Sequence, residues 1–249
     1  MNSSRFPGKP LKLINNIPMV GHCYQRALMC KELNAVYVAT CDLDIKNYVK
    51  SINGNAIMTS KKHNRASERV SEAMLKIEKN TNKKIDIVVM IQGDEPMITP
   101  TMISSSLSPF KDKDVNIVNL ISKFDNLNQF NNPDEIKVII NKNNNAIYFS
   151  RSPIPFNASN IKYPNLYKQV CIIPFRRKYL LKFNTMKETF LEKMESIDML
   201  RVIENGDNVK LVKSKTKTYS VDTLKDLQYV SKKMKYDKLS LKYSKSILS

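Results

Sequence analysis

The sequence has little of what would place it in several common classes of protein. No apolar run approaches the length of a membrane span, and the first four residues do not resemble a signal peptide. We therefore expect a cytoplasmic protein with no membrane partner. Its four cysteines have no metal-type spacing, which favours reduced thiols packed in a core. The only two histidines, His22 and His63, leave little room for histidine-based chemistry.

Acidic residues are few relative to basic ones, and the formal net charge is +18. Such a charge is typical of proteins that bind nucleic acid. The lysines are spread along the chain, however, without an aromatic-interleaved basic stripe or a known nucleic-acid-binding motif. We expect no nucleic-acid partner, and salt-sensitive binding to single or double strands would support the opposite view. A basic cleft would still help to attract a nucleoside triphosphate.

The 249 residues suffice for one large domain or two small ones, and strand-like and helix-like runs alternate along them. This alternation predicts an α/β fold with a mostly parallel sheet covered by helices on both faces. The expected strands lie near 36–40, 54–58, 85–91, 115–122, 136–150, 167–175 and 209–221. The expected helices lie near 18–31, 43–51, 66–79, 99–107, 177–183, 192–205 and 223–236.

The most informative stretch is residues 91–100, which follow a β-branched run that is typical of a buried strand. The run ends in Gly93, so Asp94 lies at the carboxyl end of a predicted central strand, where open α/β sheets bind ligands. A carboxylate there can hold Mg²⁺ against a phosphate-bearing substrate. The alternative for this stretch alone is an ordinary turn aspartate.

Two further segments carry charges suited to phosphate chemistry. Arg5 and Lys9 lie four residues apart in a segment whose prolines and glycine disfavour a regular helix. These cations can neutralise a phosphate, although the segment is not a Walker loop and a basic surface loop is the alternative. Asp222 is a second carboxylate at a strand end, and its alternative role is to cap the following helix.

Together these segments resemble the signatures of one family. Residues 5–11 read Arg-Phe-Pro-Gly-Lys-Pro-Leu, residues 92–96 read Gln-Gly-Asp-Glu-Pro, and residues 221–227 read Val-Asp-Thr-x-x-Asp-Leu. In this order they look like the motifs of 3-deoxy-manno-octulosonate (Kdo) cytidylyltransferases, also called CMP-Kdo synthetases. Further matches, such as Tyr-Phe-Ser-Arg-x-Pro-Ile-Pro at 148–155, extend the resemblance from about residue 3 to about residue 235.

The resemblance implies an enzyme with a defined reaction and architecture. It would transfer CMP from CTP to the anomeric hydroxyl of Kdo for lipopolysaccharide synthesis, with Mg²⁺ as cofactor. The fold would be a Rossmann-like sheet of the nucleotide-diphospho-sugar transferase type, in a single domain over residues 1–236. Residues 145–205 would bind the sugar and form a homodimer, and residues 237–249 would be a frayed tail.

The resemblance also assigns roles to individual residues. Asp94 and Asp222 would hold the metal and act in catalysis with Lys9. The implied nucleotide-binding residues are Arg5, Lys9, Ser67 and Arg69. The implied sugar-binding residues are Gln92, Arg151, Gln169, Asp198 and Arg201.

The sequence departs from the family most in the sugar-binding half. Gln169 replaces a sugar-facing histidine and Met199 a polar glutamine, while Ala66 replaces a glycine. Because sites that read hydroxyl groups discriminate strongly, another 2-keto sugar acid is an alternative acceptor.

The start of the chain also differs from the family pattern. The family's basic loop follows a first strand ending in Pro-Ala-Arg, whereas here Met1 lies two residues before that loop. We expect that upstream residues were omitted, and that a sheet without the strand has an open central position. A true truncation would instead give a catalytically weak nucleotide-binding homologue.

Overall fold

The structure, a computed structural model, describes residues 6–159, 161 and 165–248. Its strands are β1 (Leu13–Ile14), β2 (Ile17–Pro18), β3 (Val38–Thr40), β4 (Ala56–Met58), β5 (Ile87–Ile91), β6 (Val118–Lys123), β7 (Lys137–Ile140), β8 (Ala146–Ser150), β9 (Tyr167–Val170), β10 (Ile172–Arg176) and β11 (Lys210–Lys213).

The helices of the same residues are α1 (Met19–Leu28), α2 (Leu43–Ser51), α3 (Ala66–Thr81), α4 (Pro100–Leu107), α5 (Leu127–Asn131), α6 (Arg177–Thr185), α7 (Phe190–Glu195), α8 (Met199–Glu204), α9 (Leu224–Met234) and α10 (Lys238–Leu248). Two short 3-10 helices cover Lys9–Leu11 and Ser108–Lys111. Within the described ranges, none of these helices combines the length and apolar character that a membrane crossing requires.

The chain divides into two compact units, and the single domain expected over residues 1–236 stays a prediction. The first unit takes its described residues from Met1–Asp86, Met90–Ser104 and Thr218–Ser249. The second takes them from Ile87–Val89 and Ser105–Lys217. Lys9, Asp94 and Asp222 therefore all belong to the first unit.

The second unit contains a five-stranded sheet in the order β11-β6-β9-β7-β8. Strands β11 and β6 pair in parallel, whereas the other three pairs are antiparallel. The α/β prediction is confirmed, and this sheet is mixed. The single strand expected over 136–150 is a hairpin, because Asn144 adopts a left-handed turn (φ 56°) between β7 and β8.

In the first unit, β3 and β4 pair in parallel and are connected by α2. Their two-stranded sheet has no third strand among the residues that the structure describes. The turn after α2 brings Gly54 close to the carbonyl of Val49, and a Cβ atom at Gly54 would lie 2.8 Å from that oxygen. Only glycine fits this turn without a backbone shift.

A short hairpin that we did not predict precedes α1. Strands β1 and β2 pair antiparallel, and Asn15 (φ 48°) and Asn16 (φ 68°) form the two-residue turn. Positive φ at both central residues suits the twist of a tight hairpin, and asparagine tolerates it. The hairpin buries Ile14 and Ile17 completely, so it anchors the segment just after Lys9.

Residues 237–249 were expected to form a frayed tail, but Lys238–Leu248 form helix α10, so this expectation was wrong. Tyr243 is 3% exposed, and its hydroxyl lies 2.6 Å from His22 Nδ1 on α1. Arg26 Nε donates to the same hydroxyl at 3.2 Å, and Arg26 also forms an ion pair with Asp237. The polar sequence of this segment concealed one apolar, aromatic face that α1 covers.

His22 is 1% exposed and acts as a neutral connector between the hairpin and α10. Its Nε2–H donates to the carbonyl of Ile14 at 2.8 Å, so its Nδ1 accepts from the hydroxyl of Tyr243. Burial, reinforced by the nearby charge of Arg26, lowers the pKa of His22 from 6.5 to about 4.

We expect this buried histidine to make stability depend on pH. The pKa of His22 is lower in the folded state than in the unfolded state. The stability that depends on neutral His22 is therefore fully present above pH 6.5 and is lost as the pH falls towards 4. Lowering the pH to about 5 should cost about 2 kcal/mol of unfolding free energy through this group. Urea unfolding above pH 6.5 and at about pH 5 measures this loss of unfolding free energy. In the variant His22→Gln the loss should be much smaller. An equal loss in His22→Gln would assign the effect to other groups.

Candidate active site

Lys9 is presented by a segment that is anchored on both sides. Gly8 adopts a left-handed conformation (φ 70°), and Lys9 then begins a 3-10 helix whose second residue is proline. Phe6 packs against the cluster of Ile14, Met19, Val221, Val230 and Met234. Leu11 packs against the separate cluster of Val20, Ile45 and Val49. Two apolar anchors therefore hold the backbone that carries the lysine.

Asp94 follows β5 in a tight turn, as the strand-end argument predicted. The amide of Glu95 donates to the carbonyl of Gln92 at 3.4 Å, which reverses the chain. Glu95 is 3% exposed and accepts a hydrogen bond of 2.9 Å from the Thr218 hydroxyl. Its carboxylate thus points into the protein, whereas that of its neighbour Asp94 is 21% exposed.

A backbone bond ties the second carboxylate segment to the first. The amide of Val221 donates to the carbonyl of Asp94 at 2.9 Å. Val221 is fully buried in the same cluster that receives Phe6. The residue after it, Asp222, is therefore held beside Asp94 by the main chain and not by side chains alone.

Asp222 does not cap helix α9, which was the alternative role considered for it from the sequence. The N-cap is Thr223, whose side chain accepts from the amide of Asp226 at 3.2 Å. Asp226 in turn accepts from the amides of Thr223 and Asp222. Because this capping box satisfies the first turn, the Asp222 carboxylate is available for another partner.

That partner is Lys9, which bridges both carboxylates. Its Nζ lies 2.9 Å from Asp94 Oδ2 and 3.1 Å from Asp222 Oδ1. The two oxygens therefore lie at most about 6 Å apart. Two oxygens bound to one Mg²⁺ ion at about 2.1 Å are at most about 4.2 Å apart, so a shared ion requires the two carboxylates to lie in the shorter part of that range or to turn towards each other. Burial lowers the pKa of Lys9, but the two carboxylates outweigh it and raise the pKa above 10.5. The ammonium is accordingly charged at neutral pH.

The donor set suits a hard divalent cation that brings further ligands with it. Carboxylate oxygens are the ligands that Mg²⁺ prefers, and one or two are usual when phosphates complete the shell. In the described ranges no group of three or more histidine, cysteine, aspartate or glutamate residues is arranged to hold a metal. Asp94 and Asp222 fit an ion that arrives with a phosphate-bearing substrate, and the ammonium of Lys9 now lies against both of their side chains.

The other implied nucleotide-binding residues lie around the start of α3 or outside the described ranges. Arg5 is among the residues that the structure does not describe. Ser67 is 1% exposed in the first turn of α3. Arg69 Nη1 donates to the hydroxyl of Thr59 at 2.6 Å and to the carbonyl of Ser60 at 3.2 Å, which fixes the loop after β4.

The implied sugar-binding residues divide between the units. Gln92 directly follows β5 and lies in the first unit, whereas the others lie in the second. Gln169 on β9 donates to Asn119 Oδ1 at 2.6 Å, and Asp198 precedes α8. Each residue is on or next to a regular element, which gives its side chain a rigid support.

Arg151 is held in place from several directions. Its Nε donates to the carbonyl of Glu195 at 2.7 Å, and its amide donates to the Glu195 carboxylate at 2.8 Å. Its own carbonyl accepts from the ammonium of Lys137, which is fully buried at the start of β7, at 2.7 Å. Burial lowers the pKa of Lys137. Sequence reasoning missed Lys137 and Glu195, and a lysine within an apolar strand was the available signal.

The sugar-binding role implied for Arg201 stays a prediction, and in the structure its guanidinium is bonded to groups inside the protein. Nε and Nη2 make a bidentate ion pair with Glu192 at 2.7 and 2.5 Å, and Nη1 donates to the carbonyl of Phe183 at 3.2 Å. The side chain of Arg201 is 6% exposed and that of Glu192 is fully buried. Arg201 therefore stabilises α7 and α8, since breaking a buried pair leaves an uncompensated charge.

Comparison with known proteins extends these observations. The profile of the family described as "Cytidylyltransferase" matches residues 1–222. The chain is 37% identical over 237 residues to a 3-deoxy-manno-octulosonate cytidylyltransferase of Thermodesulfovibrio yellowstonii, covering 92% of this chain and 93% of that one. It is 35% identical over 237 residues to an 8-amino-3,8-dideoxy-manno-octulosonate cytidylyltransferase of Shewanella pealeana, covering 94% and 95%.

A solved structure shows the same fold. It is that of a CMP:2-keto-3-deoxy-manno-octonic acid synthetase complexed with CTP. The TM-score is 0.84 at 34% sequence identity, and the match covers 94% of both chains.

Proposed function

This chain belongs to the 3-deoxy-manno-octulosonate cytidylyltransferase family, and from that premise we propose how its own residues perform the reaction. It is a nucleotidyltransferase that uses CTP and Kdo and forms CMP-Kdo and pyrophosphate. The observation that carries the mechanism is the contact of Lys9 with both Asp94 and Asp222. One cation and two carboxylates are the charges that transfer of a nucleotidyl group needs.

In the proposed mechanism the anomeric hydroxyl oxygen of Kdo attacks the α-phosphorus of CTP. The bond from that phosphorus to the pyrophosphate oxygen breaks, the electron pair stays with the pyrophosphate, and the hydroxyl proton passes to solvent water. Reactions of this kind depend on positioning and charge neutralisation, so no covalent intermediate with the protein is needed. The ammonium of Lys9 would stabilise the negative charge that develops on the departing pyrophosphate.

Asp94 and Asp222 would hold Mg²⁺. When bound, the ion would supply positive charge to the triphosphate and polarise the attacking hydroxyl. The support from the chain itself is the short separation of the two carboxylates and their partial exposure of 21% and 25%. The backbone bond from Val221 to Asp94 fixes that separation before any ligand binds.

A second candidate acceptor is 8-amino-3,8-dideoxy-manno-octulosonate, the sugar acid in the name of the Shewanella pealeana relative. The observation in its favour is that Gln169 replaces a histidine of the family and Met199 replaces a polar glutamine in the sugar-binding half. Met199 is 1% exposed, so it offers no hydrogen bond to a hydroxyl group. We retain Kdo as the principal acceptor because the sugar-binding positions Gln92 and Arg151 match the family.

We place the reaction in the cytoplasm and propose a homodimer. The four cysteines are thiols that are not oxidised to disulfides, which suits a reducing compartment. Phe190 and Met194 are one helical turn apart on α7 and are 70% and 71% exposed, which is unusual for side chains so apolar. They lie within the part implied to form the dimer, and a second copy of the chain is the partner that we propose for them.

The acceptor is tested with purified protein, CTP and Mg²⁺. We expect formation of CMP-Kdo with release of one pyrophosphate, and a higher kcat/KM for Kdo than for the 8-amino sugar acid. Because a site built for a hydroxyl rejects an analogue lacking it, the ratio should be roughly tenfold or more. A higher kcat/KM for the 8-amino sugar acid would reverse the assignment.

The roles of the two carboxylates are tested by Asp94→Asn and Asp222→Asn. Each should lower turnover roughly 100-fold or more, since one group that stabilises charge at the reacting centre is worth about 10²–10³ in rate. The melting temperature should change little. The matched control is Asp86→Asn, because Asp86 is an exposed carboxylate just before the same strand. Turnover near the wild-type rate in either site variant would exclude that carboxylate.

The dimer is tested by light scattering of the variant Phe190→Glu/Met194→Glu. Charges on an apolar interface should give the monomer mass at micromolar concentration, whereas the wild type should give twice that mass. Leu241→Glu on α10, where Leu241 is 58% exposed, is the matched control and should stay dimeric. A monomeric wild-type protein would contradict the proposal.

A further inference from the structure

Lys9 forms a closed contact with the carboxylates that we propose as metal ligands. Its side chain is only 12% exposed, and its nitrogen lies 2.9 and 3.1 Å from one oxygen of each aspartate. These are hydrogen-bond distances, so the ammonium already offsets one of the two negative charges and occupies the position between the carboxylates in the protein without ligands. The pair is therefore not a ready acceptor of another cation.

A divalent ion and this lysine cannot share the pair as it stands. An ion bound to Asp94 Oδ2 at about 2.1 Å would lie within about 5 Å of the Lys9 nitrogen. Two positive centres so close in a partly buried site repel each other strongly. One of them must leave before the other can bind both aspartates.

Of the three side chains in this contact, Lys9 is the one that can move away most easily. Its four-carbon stem is flexible and its ammonium accepts partners in many directions, whereas both aspartates are fixed through backbone bonds of their own segments. A triphosphate offers Lys9 oxygens with more negative charge than the two carboxylates carry.

We propose that Lys9 is a built-in counterion that keeps the Asp94–Asp222 pair closed to divalent cations until a nucleoside triphosphate draws it away. Metal and nucleotide then bind cooperatively, because the phosphates remove the competing ammonium and supply the remaining metal ligands. By linkage, the nucleotide must tighten metal binding by the same factor as the metal tightens nucleotide binding. This inference rests on the proposed function in that it takes the nucleotide site to lie beside Lys9.

The test is Mn²⁺ binding to the full chain without nucleotide, measured by electron paramagnetic resonance of the free ion. Lys9→Met removes the counterion and should bind Mn²⁺ at least roughly tenfold more tightly than the wild type, a modest change for the loss of a competing cation. Lys9→Arg keeps the charge and should bind as weakly as the wild type. Lys12→Met, which removes an exposed lysine from the same segment, is the matched control and should also bind as the wild type does.

Two further measurements keep the result interpretable. The double variant Lys9→Met/Asp94→Asn should lose the gain, which locates the ion at this pair. Lys9→Met should also be less stable than the wild type and regain stability on addition of Mn²⁺, so a poorly folded variant would be recognised. Equal Mn²⁺ affinity in wild type and Lys9→Met, or a gain that survives Asp94→Asn, overturns the inference.

The inference and the proposed function fail in different ways. If the wild type makes CMP-Kdo but Lys9→Met binds Mn²⁺ no better, only the counterion role is wrong. If Lys9→Met gains affinity but the wild type has no activity with CTP and Kdo, the counterion role holds and the assigned reaction is wrong.

Discussion

The carboxylates of Asp94 and Asp222 lie within about 6 Å of each other, and the arrangement of the first unit around them depends on holding these two negative charges together. Left alone, they would repel each other and the segments that carry them. The main chain resists this through the bond between Val221 and Asp94, and the ammonium of Lys9 offsets one of the two charges. Phe6 and Leu11 contribute as well. By packing against apolar clusters, they hold the backbone of Lys9 where its side chain reaches both aspartates.

A comparison of ion pairs within the chain shows why this one suits ligand exchange. The pair of Arg201 and Glu192 is bidentate and at most 6% exposed, so neither partner can be withdrawn without leaving a buried charge. Lys9 and its partners are 12–25% exposed and each lysine contact is a single bond. Water and ligands can replace those bonds one at a time. Burial and denticity thus separate a structural pair from an exchangeable one.

The sequence predicted well whatever follows from local pattern. Most strands and helices lie where their periodicity placed them, and the fold brings Asp94 and Asp222 together with Lys9. The strand expected to run to residue 221 ends at Lys213, so Asp222 lies in an irregular segment before α9 and not at a strand end. The hairpin around Asn15 was missed because two-residue strands are too short to show alternation. Helix α10 was missed because its polar composition masks the single buried face around Tyr243.

Individual side chains were harder to predict because their partners are distant in sequence. Nothing local to Arg201 reveals that Glu192 saturates its guanidinium. Nothing around Lys137 shows that its ammonium ends at the carbonyl of Arg151. Motif positions identify which residues matter, whereas only tertiary contacts separate a residue that binds a ligand from one that holds its neighbour.

The wide spacing of the three site charges along the chain bears on how the enzyme is made. Asp222 is 213 positions after Lys9, and no shorter stretch of chain contains all three groups. During synthesis the lysine and the first aspartate emerge early, but the backbone bond from Val221 forms only when the last part of the domain has left the ribosome. Nascent chains that end before Asp222 therefore lack one of the three charges, so the complete contact forms only in polypeptides whose translation has passed this point.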